Sequence, residues 1–308
     1  MRSTFLLTTG LLFYLTSFAQ KFDIEGHRGC RGLRPENTIP AFIHAVELGV
    51  TTLEMDVVVT RDGQLVVSHD PVLNDVIMTK PDGTPVTAEE AKKLRIFDMP
   101  YAEIKKYDAG LRGNPKFPEQ QKMAVYKPLL KAVIDTVEKY VKVHKLPAVY
   151  YNIETKSTQD GDGVYNPKPN VFAQALYDVI ADKKVVPRCI IQSFDPRTLQ
   201  EIKKIDPNIT TALLIANLNS FDKNIAELGF PPAIYSPEYH LVNKKLIAKC
   251  HALNIKVIPW TVNDEKTMLK LKTLGADGLI TDYPDRAQPL QTQPLQTQPL
   301  QTSPKGRL

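Results

Sequence analysis

Cysteine is scarce. Cys30, Cys189 and Cys250 are the three in 308 residues, and an odd count without paired spacing builds no disulfide framework. Cys30 lies beside a charged cluster but has no partner pattern, so it reads as a small space-filler and not as a nucleophile. Excess charge of one sign is lacking too. Net charge is +5, and three positive charges (Arg2, Lys305 and Arg307) sit at the ends, which leaves +2 for the body. A near-neutral body gives no electrostatic basis for nucleic-acid binding. Residues 1–19, MRSTFLLTTGLLFYLTSFA, begin with a basic residue, continue in an apolar run and end in small residues, the pattern of a cleaved secretory signal. The run is short for a membrane span and is interrupted by Thr8, Thr9, Gly10, Thr16 and Ser17. No cysteine follows it to carry a lipid. The expectation is an exported protein, periplasmic or secreted, with cleavage near Ala19 and no stable membrane anchor.

What is present is a rhythm. From Phe22 to Asp285 short apolar runs such as TTLEMDVVV, AVYYNIE, CIIQSF and DGLITDY alternate with amphipathic stretches. The stretches include Ile39–Leu48, Lys127–Val143, Val171–Ala181, Asn243–Leu253 and Glu265–Leu274. Thr38 is a candidate N-cap for the first, with Pro40 in its first turn. Repeated β-α units over this length favour a (β/α)8 barrel over an open doubly wound sheet. The connection VVVTRDGQLVV breaks the rule, because it is too short for a parallel crossover. It predicts a hairpin with Asp62-Gly63 as its loop, which would set Asp56 opposite His69. Residues 71–126 lack the barrel rhythm and read as an insertion at the barrel mouth. Residues 288–308 repeat QPLQT three times and read as a low-complexity, disordered tail outside a barrel of residues 20–287.

Chemistry-bearing residues sit on the apolar runs. Glu54 and Asp56 are two apart on a strand and share a face. Such a pair is ordinary on a solvated surface; within an apolar strand it needs a compensating positive charge. Oxygen ligands point to Mg²⁺ or Ca²⁺. Glu154 and Lys156, in YNIETK, share a face in the same way. They read either as a salt-bridged strand end or as a third metal carboxylate beside a phosphate-binding lysine. His27 and His69 both end apolar runs, where barrel enzymes place catalytic groups. With an acidic cluster nearby they suit a general acid and base.

Taken together, GHRGCRGLRPENTIPAF, LEMDVVVTRDGQLVVSHDPVL and YNIETK resemble the glycerophosphodiester phosphodiesterase family. The shorter matches AEIKKYDAG, QSFD, PWTVND and GLITDYPD follow in the family's order. The resemblance spans residues 22–286. It implies an irregular TIM barrel with a small inserted subdomain after the HD motif. It implies a divalent cation, Ca²⁺ or Mg²⁺, on Glu54, Asp56 and Glu154, with His27 and His69 as the acid/base pair. Arg28 and Lys156 are implied as phosphate contacts, and Glu36 and Asn37 as braces of the site. Trp260 would form an apolar wall against the glycerol carbons, with Phe194 a weaker candidate for the same surface.

The implied reaction is hydrolysis of small glycerophosphodiesters, such as glycerophosphocholine or glycerophosphoethanolamine, to sn-glycerol 3-phosphate and an alcohol. In the first step His27 would be the acid and His69 the base. The attacking group would be the substrate's own glycerol 2-hydroxyl, and intramolecular attack removes much of the entropic barrier. Three other readings compete. A phospholipase D-type enzyme acting on lysolipids or sphingolipids would use the same residues. A glycosidase using Glu54 and Glu154 would leave Asp56 and both histidines without roles. A catalytically dead binding module should have lost a site residue, and none is missing.

Overall fold

The computed structural model describes residues 22–292. Residues 1–21, with the expected signal, and the repeats from residue 293 onward lie outside the described residues. Eight parallel strands wind in nearly chain order: β1 (Asp23–Gly26), β2 (Thr52–Val59), β4 (Tyr150–Thr155), β5 (Cys189–Ser193), β6 (Thr210–Ile215), β7 (Ile234–Pro237), β8 (Lys256–Val257) and β9 (Gly278–Thr281). β1 pairs with both β2 and β9. On the far side Asp277 N donates to Val257 O (2.9 Å), and Ile280 N to Pro259 O (2.9 Å). The sheet therefore rolls into a nearly closed TIM barrel. Among the described residues no helix is long and apolar enough to cross a membrane.

Helices between the strands cover the barrel with one apolar face each. The helix Ile39–Glu47 buries Ala41, Phe42, Ala45 and Val46, and Leu130–His144 buries Val133, Ile134, Val137 and Val141. Their starts follow local chemistry. Asp195, Ser220, Asn243 and Asp264 each accept a backbone N–H of the first helical turn. Thr38 does occupy an N-cap position, but its hydroxyl donates to Pro35 O (2.5 Å) and does not cap.

The hairpin forms in a different register from the one expected. β3 (Leu65–Val67) runs antiparallel to β2, with Val57 opposite Val67 and Val59 opposite Leu65. The loop has three residues, because Thr60 N bonds Gln64 O (2.9 Å) and Gly63 takes φ +73°. A three-residue loop closed by a left-handed glycine is a favoured hairpin solution. Asp62 supports it by accepting from Thr60 Oγ1 and Gln64 Nε2. Asp56 consequently pairs with Ser68, whose N–H it accepts (3.0 Å), and not with His69. The slip leaves Val57, Val59, Leu65 and Val67 in the main core, with Val58 and Val66 facing a second one.

That second core belongs to the insertion. Leu73, Ile77, Met78, Val86, Ile96 and Ile104 close over Val58 and Val66. The insertion also reaches the barrel mouth. Gln120 Nε2 donates to Arg31 O (2.8 Å), and the Phe117 ring lies 4.6 Å from the Arg31 guanidinium. At the other end of the chain, the first tail residues are structured. Pro289–Thr292 form a helical turn, Leu290 is buried, and Lys272 Nζ donates to Leu290 O. The packed body thus extends past residue 287.

Candidate active site

The barrel interior has two unlike halves. Ile190, Ala212, Ile234, Ile258 and Ile280 form an apolar cluster, with Trp260 packed against it. Facing it, β1, β2, β4 and β5 carry Glu25, Glu54, Asp56, Asn152, Glu154 and Gln192, all buried. Strand register dictates the convergence. Asp56 lies directly across from Glu154, and Glu154 from Gln192. Neighbouring parallel strands stand about 4.8 Å apart, so side chains on one face at one level must meet.

Glu54, Asp56 and Glu154 each bring a carboxylate oxygen within 4.8 Å of the others. Burial, then the charge of Asp56, pushes the Glu54 carboxyl well above the usual range. Burial raises Glu154 too, against the pull of Lys156. At Asp56 burial also acts upward, but Arg28 and Lys156 more than offset it and hold that carboxyl far below the ordinary value. Lys156 Nζ lies 2.7 Å from Glu154 Oε1 and 3.7 Å from Asp56 Oδ1. Two cations stand against three buried carboxylates, so the trio cannot be fully ionised and balanced without a further positive charge. Asp56 Oδ1 is buried and accepts no hydrogen bond from any described residue. An all-oxygen donor set with an unsatisfied carboxylate oxygen fits a hard divalent cation.

The loop Arg28–Asn37 wraps this cluster. Arg28 N donates to Glu54 Oε2 (2.8 Å), its Nη1 to Glu36 Oε1 (2.8 Å), and its Nε lies 3.2 Å from Asp56 Oδ2. Asn37 Nδ2 donates to Asp56 Oδ2 (2.8 Å). Arg28 and Asn37 are both left-handed, with φ of 51° and 57°. Gly29 has φ +85°, and a Cβ there would stand 2.7 Å from the Ala41 backbone, so the loop can lie on the helix Ile39–Glu47 only with glycine. The expected braces Glu36 and Asn37 thus contact Arg28 and Asp56 respectively.

Both histidines face a cavity of about 170 Å³ above the carboxylates. His27 Nδ1 lies 2.6 Å from Asp282 Oδ1, and its Nε2 lies 4.0 Å from Glu54 Oε2. Burial, with Arg31 adding to it, lowers the His27 imidazole to about 4, against the opposing pull of Asp282. His69 is more open and its Nδ1 lies 2.8 Å from Asp70 Oδ1. Each imidazole is therefore anchored at Nδ1 by a carboxylate. Trp260 and Phe194 line the same cavity, edge to face at 5.4 Å, and Trp260 Nε1 donates to Ser236 O (2.8 Å).

Five contributors had no role in the sequence reading. Asp282 holds His27 and also accepts two bonds from Arg31 (2.9 and 3.1 Å) and one from Asn263 (2.8 Å). Asp70 holds His69. Gln192 Nε2 donates to Glu54 Oε1 (2.7 Å). Arg31 lines the cavity. Lys127 is buried, and its charge acts on Glu36 and Asp70. Asp282 and Gln192 carried a usable signal, since Asp282 directly follows a barrel strand and Gln192 has inward parity on one. Lys127 carried none.

Residues 27–286 match the model of the glycerophosphoryl diester phosphodiesterase family. A glycerophosphodiester phosphodiesterase of Bacillus altitudinis is 32% identical over 268 residues, covering 86% of this chain and 96% of that one. A solved structure from Silicibacter pomeroyi DSS-3 superposes with a TM-score of 0.79 at 29% identity, covering 88% and 93%. An Oleispira antarctica phosphodiesterase, solved in complex with the product sn-glycerol-3-phosphate, superposes with a TM-score of 0.67 at 23% identity, covering 87% and 96%. The lysophospholipase D of Rattus norvegicus is more distant, 25% identical over 84% of this chain and 83% of that one.

Proposed function

The chain belongs to the glycerophosphoryl diester phosphodiesterase family, and we propose that it hydrolyses small glycerophosphodiesters, such as glycerophosphocholine or glycerophosphoethanolamine, to sn-glycerol 3-phosphate and an alcohol. The observation that carries the reading is the meeting of three buried carboxylates beneath a cavity that two carboxylate-anchored imidazoles also face. A Ca²⁺ or Mg²⁺ ion held by Glu54, Asp56 and Glu154 would supply Lewis-acid neutralisation of a phosphoryl oxygen.

The chain's own residues account for the rest. Arg28 and Lys156 offer cations to the remaining phosphoryl oxygens as charge builds on them. His69 Nε2 takes the proton of the glycerol 2-hydroxyl as that oxygen attacks phosphorus. His27 Nε2 delivers a proton to the departing alcohol oxygen as the P–O bond breaks. In the free enzyme burial keeps His27 neutral; a bound diester brings the nearby negative charge that favours its protonated form. The cyclic phosphate is then opened by water with the two histidines exchanging roles. Trp260 and Phe194 would exclude water from the glycerol face.

A coupled assay for glycerol 3-phosphate release tests the reading. Activity should vanish with EDTA and return with Ca²⁺ or Mg²⁺; full activity in EDTA would overturn it. Lysophosphatidylcholine run beside glycerophosphocholine separates the phospholipase D-type alternative, which predicts faster turnover of the lysolipid.

A further inference from the structure

One buried acid of the barrel interior has no part in this chemistry. Glu25, on β1, is fully buried, is not among the residues lining the cavity and hydrogen-bonds to no proposed metal ligand. Its Oε2 accepts from Asn152 Nδ2 (2.6 Å). The same Nδ2 donates to Gln192 Oε1 (3.1 Å), and Gln192 Nε2 donates to Glu54 Oε1 (2.7 Å). Asn152 and Gln192 are as buried as the acids they join. An unbroken line of side chains therefore crosses the interior from β1 through β4 and β5 to β2.

With Glu54 ionised, as a metal ligand must be, the direction of every bond in that line follows. Glu54 is an acceptor, so Gln192 must turn its amide N–H to it and its carbonyl to Asn152. Asn152 must then donate to Gln192, and the second proton of its NH₂ reaches the acceptor at Glu25. Turning Gln192 over would break two bonds in a dry interior, where each unmade bond costs about 1–3 kcal/mol. With an apolar group at position 25, Asn152 loses its anchor on β1 and can shift or turn. Gln192 is then free to present its carbonyl to Glu54 and displace that carboxylate. Glu25 Oε1 and Asn152 Oδ1 are both buried without a donor among the described residues. A proton on Glu25 is the donor the pair lacks, and burial pushes this carboxyl well above its ordinary range. Glutamine at position 25 would reproduce that neutral acid, with a carbonyl for Asn152 Nδ2 and an N–H where the acid has its O–H.

We propose that Glu25 is a positioning residue of the metal site, acting through Asn152 and Gln192 to fix the orientation of Glu54. The inference rests on the three-carboxylate reading above. Outer-shell partners of metal ligands are generally worth 10–100-fold in affinity, and that is the effect expected here.

The test is calorimetric titration of Ca²⁺ and Mg²⁺ into the full chain as wild type, Glu25→Leu, Glu25→Gln, Asn152→Leu and the Glu25→Leu/Asn152→Leu double variant, each checked for cooperative unfolding. E25L and N152L should each weaken binding by about 10–100-fold. The double variant should lose no more than either alone, because both cut one line. E25Q should keep wild-type affinity, which a role for the charge would not allow. Wild-type affinity in folded E25L, or additive losses in the double variant, would overturn the proposal. Should E25L not fold, N152L cuts the same line from its other side, and wild-type affinity there overturns it equally. A wild type that binds neither ion overturns the metal reading itself, and this inference with it.

Discussion

Replacing Glu36 with alanine isolates what the loop contributes to the site. Arg28 is buried and meets two carboxylates, Glu36 through Nη1 at 2.8 Å and Asp56 through Nε at 3.2 Å. Removing Glu36 does not return the guanidinium to water. It leaves a buried cation leaning on Asp56 alone, and it takes from Lys127 a nearby carboxylate as well. Breaking a buried pair from one side costs about 3–5 kcal/mol. For a domain of this size each kcal/mol moves the unfolding midpoint by roughly 2–4 °C, so the shift should be roughly 6–20 °C downward. Glutamine in place of Glu36 keeps an oxygen for Nη1 and should lose less.

Activity should respond separately from stability. With one anchor gone Arg28 is drawn toward Asp56 and away from the phosphate position, and misplacement of about 1 Å can lower the rate by ~10²-fold. Calorimetric unfolding, together with kcat/KM for glycerophosphocholine measured well below the variant's midpoint, reads both effects. A Glu36→Ala protein within about 1 kcal/mol of wild type, the range of solvent-exposed pairs, and with unchanged kcat/KM would refute the reasoning.

Three further outcomes are expected. His69→Ala should lower kcat by about 10²–10⁴-fold with Ca²⁺ affinity unchanged in calorimetric titration; a rate near wild type would remove His69 from the acid/base pair. Glu25 has a raised folded pKa, so in the window between its unfolded and folded values the native state holds a proton the unfolded chain has released. Wild-type stability should therefore fall through that window as pH rises, whereas Glu25→Gln has no such proton to release; parallel pH profiles from chemical denaturation would refute the assignment. Deleting residues 293–308 should leave activity within a few-fold, but deleting 288–308 also strips the buried Leu290 and should cost about 1.5–3 kcal/mol. Equal midpoints for the two truncations would contradict the packing of Leu290.

Much of the site was legible because it sits where one strand's alternation is visible in the sequence. Glu54 and Asp56 two apart, Glu154 and Lys156 two apart, and histidines ending strands are local patterns. What escaped depends on alignment between strands. Asn152 meets Glu25 and Gln192 only because β4 lies between β2 and β5 in one register, and no spacing along the chain encodes that. The hairpin register failed for a related reason. Asp62-Gly63 fits a two-residue loop as well as the tail of a three-residue one, and the bonds that favour the latter join the Thr60 hydroxyl, as donor to Asp62 and acceptor from Gln64 N, to the turn. Lys127 is the hardest case. Its sequence context looks like a helix start, whereas it is buried where the charges of Glu36 and Asp70 act on it.

Charge gives these pieces a common logic. Around the cluster, Arg31 faces Asp282, and Glu36 lies between Arg28 and Lys127, so the surrounding shell largely cancels itself. The cluster does not cancel once fully ionised, since Arg28 and Lys156 fall one charge short of the three carboxylates. A divalent ion overcorrects by one, and the remaining positive charge matches the single negative charge of a phosphodiester. Neither binding event alone leaves this low-dielectric interior neutral, and charge left over there is expensive. Ion and diester should thus each strengthen the binding of the other, by an equal factor in both directions. The insertion reaches the same shell through the Phe117 and Gln120 contacts to Arg31, which ties it to the site's electrostatics.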